Sequence, residues 1–171
     1  MSGPLTVRAA EPEQLDAIMA LYDTARETIR ATGNLVQWIN GYPSRELVTE
    51  DIRKGYCFVC MDGEQLAGVF ALIPGEDPTY AVIKDGAWLN DEPYATIHRI
   101  GSSGICRGVL ARCVEWSFQK YGNLRIDTHA DNVVMRRLLP RLGFRRCGII
   151  YIEDGSPRIA YQKTGDDKAR E

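Results

Sequence analysis

Only two histidines, His98 and His129, occur among the 171 residues, and no run of apolar side chains is long. Runs such as Val69 to Ile73 fall far short of the roughly 18–20 residues needed to span a bilayer. The opening Met1-Ser2-Gly3-Pro4 lacks the basic segment and apolar stretch of a secretory signal, so a cytoplasmic protein is expected. Charge of one sign is missing too: 21 basic and 23 acidic side chains leave a formal net charge of −2. With a sequence pI of about 5.8 there is no global basic field, and neither nucleic acid nor membrane is an expected partner. No internal repeat or low-complexity segment is present. The five cysteines are an odd number set inside apolar patterns, which argues against a disulfide framework. Cys57-Phe58-Val59-Cys60 has the form CxxC but no second copy. It falls in a strand-like segment, where positions i and i+3 face opposite ways, so the two thiols read as small buried hydrophobes.

What is present is an ordinary globular composition. Hydrophobic residues make up 44%, enough to exclude disorder. The length fits one domain, residues 1–163, with a charged tail, 164–171, expected to fray. Residues 6–8 read as a short strand. Pro12, with Glu11, Glu13 and Asp16, starts a helix whose stripe is Leu15, Ile18, Met19, Tyr22, Ala25 and Ile29, ending near Gly33. Ser44 caps a second helix, with Leu47, Val48 and Ile52 on one face and Gly55 as its stop. The period then shortens to two. Residues 56–61 and 65–73 form a hairpin across Asp62-Gly63. Residues 74–93 are polar and carry Tyr80 and Trp88; that length implies a functional loop or part of a longer strand pair. Strands follow at 94–100 and 124–128, helices at 108–121 and 132–142, and a last hairpin at 144–152 and 158–162. The order β-α-α-β-β-β-α-β-α-β-β implies a mixed sheet with helices on both faces.

Two passages carry chemistry. In Ile100-Gly101-Ser102-Ser103-Gly104-Ile105-Cys106-Arg107-Gly108-Val109-Leu110 a strand runs through a glycine-containing loop into a helix. Unpaired backbone N–H groups and the positive helix end suit a phosphate there, and Arg107 adds a charge for the same anion. The spacing is neither GxGxxG nor GxxxxGK[ST], so dinucleotide-binding and nucleoside-triphosphatase readings lose their main support. Alone, the loop is equally a turn that lets the helix cross the strand closely. The second passage, Asp127-Thr128-His129-Ala130-Asp131-Asn132, opens a helix with Met135, Leu138, Leu139 and Leu142 toward a core. Gly143-Phe144 then leads into a strand. Asp127, His129 and Asp131 alternate as metal ligands can, but no further histidine completes such a site. Asp131 is more simply a helix cap, and no metal is expected.

Taken together, the two passages resemble the GNAT superfamily of N-acetyltransferases. Asn132, Met135, Leu138, Arg141, Gly143 and Phe144 stand in register with that family's N-x-x-A-x-x-L-Y-x-K-x-G-F-like element. Setting Ile100 at the first position of its V-x-P-x-x-R-G-x-G-x-G-like acyl-CoA loop puts Arg107 and Gly108 where a basic residue and the central glycine are expected. The signatures follow in the right order, about 25 residues apart, and the element order extends the resemblance over nearly the whole chain. It implies a mostly antiparallel central sheet with splayed middle strands, acetyl-CoA as co-substrate, and direct acetyl transfer to an amine in a ternary complex. Ile100, Ile105, Cys106, Arg107, Gly108, Val109 and Asn132 would bind the cofactor, with backbone N–H groups near Ile100 orienting the thioester.

By the same resemblance His98 and His129 end the two strands that splay around the thioester, where an imidazole suits taking a proton from an ammonium. His98 would share a strand face with Tyr94, Thr96 and Ile100. Each histidine is otherwise a hydrogen-bonded structural residue. Trp38, Tyr42, Tyr80 and Trp88 lie in the connectors that would form an acceptor pocket, or are loop aromatics anchored on the core. The expected acceptor is a small-molecule amine or a peptide, and the expected state a monomer or homodimer. Ile105 stands where the family has Arg or Gln, and Leu110 where it has Gly or Ala, so pyrophosphate would rest on backbone amides and Arg107. Leu139 replaces the usual Tyr, which is assigned as general acid for the departing thiolate, and leucine cannot donate a proton. That departure supports an alternative, a catalytically weak acyl-CoA-binding or regulatory module of the same fold. A protein-interaction domain without CoA would require both motif matches to be accidental. Pro140 should kink or shorten its helix.

Overall fold

A computed structural model describes residues 4–35 and 37–165. Among these residues the elements run β1 Leu5–Ala9, α1 Leu15–Ala31, α2 Arg45–Lys54, β2 Cys57–Asp62, β3 Gln65–Pro74, β4 Ala95–Ser102, α3 Val109–Tyr121, β5 Asn123–Thr128, α4 Val133–Arg141, β6 Arg145–Tyr151 and β7 Pro157–Thr164. The strands hydrogen-bond in the order β1-β2-β3-β4-β5-β7-β6. β1–β2, β2–β3, β5–β7 and β6–β7 are antiparallel, and β4–β5 is parallel through Ala95 with Leu124 and Thr96 with Arg125. This is the mixed, mostly antiparallel sheet of the expected fold class. Thr164, placed in the tail by sequence, belongs to β7 and pairs with Asn123; of that expected tail, residues 166–171 lie outside the described residues. No helix of the described residues is long and apolar enough to cross a membrane.

The chain packs as two compact units, each drawn from separate segments: the residues through Leu72 with His98–Trp116, and Ile73–Ile97 with the residues from Ser117 onward. In the first unit β2 is buried along both faces. Cys57, Val59 and Met61 pack with Ile18, Leu21, Tyr22 and Ala25 of α1 and Val48 of α2, the apolar stripes those helices carry at helical spacing. Phe58 turns the other way, onto Phe70 and Trp116 of α3. Cys57 and Cys60 accordingly face opposite sides, because a strand alternates. Ser44 Oγ accepts the Leu47 N–H and caps α2 as its sequence implies.

In the second unit Tyr80, Ile150 and Ala160 form a core joined by Ile83, Trp88, Tyr94 and Ile152. The long stretch between β3 and β4 is tied down by a 3₁₀ turn at Pro78–Tyr80 and a bridge from Lys84 to Ile149. At α4 the cap is Asn132, whose Oδ1 accepts the Met135 N–H, and not Asp131. Both residue types cap well, and the register of the helix decided between them. Pro140 sits in the last turn of α4, where its missing N–H removes one helical hydrogen bond and the helix still runs on to Arg141. Phe144 N–H reaches Leu139 O and Gly143 N–H reaches Pro140 O, closing the end in a Schellman motif.

Candidate active site

The first unit carries the loop-to-helix junction. Ser103 N–H bonds Ala67 O, pinning the end of β4 against β3. Ser102 Oγ accepts the Gly104 N–H and Ser103 Oγ the Ile105 N–H. The Ile105 amide, expected to face an anion, is therefore engaged within the loop. Gly104 (φ 82) and Gly108 (φ 80) take left-handed conformations that a side chain would strain, and a Cβ at either would meet open space. Arg112 N–H bonds Gly108 O and begins α3, so the amides of Gly108 to Ala111 have no acceptor within the helix. Ile105, Arg107 and Gly108 are exposed, Cys106 is half-buried, and the Val109 side chain is buried as the anchor of the junction. Burial, helped by Asp62, raises the Cys106 pKa and keeps that thiol protonated. A helix N-terminus with an exposed arginine and no side chain over its glycines fits a pyrophosphate.

Beside this junction β4 is distorted. Arg99 has φ 44, a conformation that non-glycine residues seldom hold. Its Nε and Nη2 donate to the two carboxylate oxygens of Asp51 on α2, both at 2.7 Å. Nη1 donates to the Tyr42 hydroxyl at 3.1 Å, and the Tyr22 hydroxyl donates to Arg99 O at 2.7 Å. Burial alone would weaken the guanidinium charge, but Asp51 and Tyr42 outweigh it and the Arg99 pKa stands above the ordinary arginine value. Burial also pushes the Tyr22 hydroxyl up, so it remains a donor. A Cβ built at Gly101 would touch Ala25 and Leu21 of α1. Gly101 thus turns toward α1 and Arg99 toward α2 and Tyr42, and the left-handed φ at Arg99 interrupts the regular alternation of β4 there. Trp38 stands edge-on to Tyr22 at 5.6 Å and to Tyr42 at 6.5 Å.

The second unit holds the other candidates. Tyr80 is buried, its hydroxyl donating to Asp127 at 2.6 Å, and Trp88 Nε1 donates to Tyr80 O. The Arg125 guanidinium lies 4.0 Å from the centres of both the Trp88 and Tyr94 rings. His129 Nδ1 accepts the Asp131 N–H at 3.0 Å, so in the neutral ring the proton is on Nε2. Burial and then the Arg158 charge lower its pKa, while Asp131 opposes them. Asn132 spans the same turn through its cap.

The structure thus brings Trp38 together with Tyr42, and Tyr80 with Trp88, each pair inside its own unit. Trp38, Tyr42, His98, Ile100 and the loop from Ile105 to Val109 belong to the first unit; Tyr80, Trp88, His129 and Asn132 belong to the second. Sequence reasoning missed Asp51, Arg99 and Tyr22 as a group. Tyr22 carried the only signal, a hydroxyl in an otherwise apolar helix stripe. Among the described residues no cluster of three or more His, Cys, Asp or Glu is arranged to hold a metal.

Neither a protein-family model nor a curated protein matches the sequence. Solved structures do. A GNAT-family acetyltransferase from Streptococcus agalactiae is 35% identical, with a TM-score of 0.87 over 96% of this chain and 97% of that one. A GNAT-family acetyltransferase from Listeria monocytogenes, at 19% identity, shares the fold with a TM-score of 0.69 over 95% of this chain and 97% of its own. So does the PaiA N-acetyltransferase of Thermoplasma acidophilum in complex with coenzyme A, at 13% identity and TM-score 0.66, over 95% of this chain and 99% of its own.

Proposed function

Because this chain belongs to the GNAT family of acetyltransferases, we propose that it moves the acetyl group of acetyl-CoA to an amine by direct attack. The observation that carries the cofactor assignment is the junction at Gly108, where the left-handed Gly104 and Gly108 border open space and the amides of Gly108 to Ala111 lack helical acceptors. The amides of Gly108 to Ala111 hold the pyrophosphate, and Arg107 adds its charge. Acetyl-CoA supplies an activated acyl carbon and a thiolate leaving group. The Ile100 N–H donates to the thioester oxygen as negative charge develops on it. His98 takes the proton released by the attacking ammonium, so that a neutral amine forms the new C–N bond while the C–S bond breaks.

His129 is the poorer base. Its Nε2 already carries a proton, and its Nδ1 is occupied by the Asp131 N–H. Leu139 is fully buried in the core and donates nothing, so the thiolate, whose thiol pKa is near 8.5, leaves without a protein acid at that position and takes up, through water, the second proton that the amine nitrogen sheds as the amide forms. Trp38 and Tyr42 line the acceptor side, which favours an amine with an apolar or cationic body, on a small molecule or a peptide.

Release of CoA thiol from acetyl-CoA, measured against a panel of amines, tests this reading. Agmatine and spermidine belong in the panel, since N-acetyltransferases named for them share the fold at 12% and 17% identity. Thiol release that depends on one amine class supports an enzyme. Thermal stabilisation by acetyl-CoA with no thiol release supports the second reading, an acyl-CoA-binding module, which the buried Leu139 favours. No stabilisation by any acyl-CoA refutes both.

A further inference from the structure

Arg99 is a backbone position of the first unit held on both sides by other side chains. A strand residue in the left-handed region is strained and persists only where its surroundings over-determine it, a situation concentrated at functional sites. Here three side chains do so. Asp51 grips the guanidinium with both oxygens, the two side chains being 7% and 8% exposed, and Tyr42 adds a third bond. Tyr22, itself buried, holds the carbonyl. A buried ion pair is seldom needed for stability, because well-packed apolar residues of the same volume do as well. What it supplies is direction. In a trans peptide the C=O of one residue and the N–H of the next point opposite ways. With Arg99 O held toward α1 by Tyr22, the Ile100 N–H is aimed away from α1.

We propose that Asp51, Tyr22 and Tyr42 form a clamp on Arg99 that sets the Arg99–Ile100 peptide plane and so aims the Ile100 N–H at the thioester oxygen. This rests on the acetyl-transfer reading above. Asp51 and Tyr22 are positioning residues: they act through the backbone and leave the pyrophosphate cradle at Gly108 to Ala111 untouched. The bidentate carboxylate stops the Arg99 side chain from rotating out, and the tyrosine hydroxyl stops the peptide from flipping back to the extended form. Neither alone restrains both ends of the residue.

Tyr22→Phe removes one hydroxyl and keeps the ring in the core; Asp51→Asn keeps the shape of the carboxylate and removes its charge. Both are measured in the full chain for kcat, KM for the amine, acetyl-CoA affinity by calorimetry, and the amide shift of ¹⁵N-labelled Ile100 on adding acetyl-CoA. Expected is a fall in kcat of at least about tenfold in Tyr22→Phe, since a correctly aimed oxyanion donor is worth about 10²–10³. Acetyl-CoA affinity should stay unchanged, the ligand-induced Ile100 shift should be lost, and Tyr22→Leu should not recover kcat. Wild-type kcat in Tyr22→Phe overturns the clamp, as does a kcat loss that falls in step with affinity and melting temperature. Should Asp51→Asn fold poorly, Tyr22→Phe decides alone. A wild-type chain that binds acetyl-CoA but releases no thiol with any amine would instead remove the acetyl-transfer reading.

Discussion

Gly68, in β3, lies under the first residue of α3, and a single methyl group there should disturb the cofactor loop from below. A Cβ at Gly68 would come 2.5 Å from Val109 Cγ1, 3.3 Å from Cys60 Cβ and 3.3 Å from Gly101 O. Carbon atoms prefer roughly 3.5–4.0 Å, so the Val109 contact overlaps by about 1 Å. Gly68 is not left-handed, so the cost is steric and not conformational. Val109 cannot swing away easily: it is 2% exposed and β-branched on a helix, where one rotamer dominates. The start of α3 must move instead. Overpacking of this kind costs about 1–3 kcal/mol, and the helix that moves carries the amides assigned to pyrophosphate.

Gly68→Ala should therefore lose stability in urea titrations and lose acetyl-CoA affinity beyond what lower stability explains. Val109→Ala removes the clashing carbon. Alone it costs roughly 1.5 kcal/mol for two buried methyl groups, with any residual cavity adding to that. In the double variant the methyl at Gly68 occupies the vacated space. Its total cost should fall below the sum of the singles by more than about 0.5 kcal/mol, the usual error of additivity. Strict additivity, or a Gly68→Ala protein as stable and as tight for acetyl-CoA as wild type, would refute the packing argument.

Four further outcomes are expected. Gly108→Asp should abolish the thermal shift given by acetyl-CoA, whereas Gly108→Ala, which adds left-handed strain of about 1–2 kcal/mol but no charge, should keep part of it. Arg107→Ala should weaken calorimetric CoA binding by about 1–3 kcal/mol, the range of a charge-assisted contact, and equal affinity would make Arg107 a solvated charge. His98→Gln should keep acetyl-CoA affinity and lower turnover at least tenfold, a general base being typically worth about 10²–10⁴; His129→Gln should lower it less. The lowered His129 pKa disfavours its charged form in the fold, so the unfolded chain binds more protons once pH drops below about 6.5. The stabilising contribution is full above that pH and is lost as pH falls through the folded value. Melting temperatures across that range should decline less steeply in His129→Gln than in wild type.

Local chemistry made most of the fold legible. Ser44 as a cap, Gly55 as a stop and the Gly143-Phe144 exit act on neighbours within a few residues, so a short window contains both partners of each interaction; the first hairpin was legible too, but its turn is Gly63-Glu64 and not Asp62-Gly63, because Asp62 ends β2 paired with Gln65. The apolar stripe of α1 and the two-sided burial of β2 follow from period alone, which is why Cys57 and Cys60 could be separated onto opposite faces before any coordinates. The loop from Ile100 to Leu110 and the helix from Asn132 were legible for the same reason, strand, loop and cap being adjacent in the chain. Choices between chemically similar neighbours were not. Asp131 and Asn132 cap equally well by type, and the helix register picked Asn132; Ile105 offered an amide to an anion until Ser103 accepted it.

What the tertiary structure alone decided lies in pairs far apart in sequence. Asp51 and Arg99 are 48 residues apart, Tyr22 and Arg99 77, and Tyr80 and Asp127 47. Asp51 read from its own helix is one more acid on a polar face, and Arg99 one more strand cation. Gly68 reads as a weak point in β3 until Val109 is seen above it. The sequence by itself determined the elements, their order and the family; which side chains meet, and hence the left-handed turn at Arg99 and the direction of the Ile100 N–H, depends on loop closures whose energy is shared by the whole core and written in no local window.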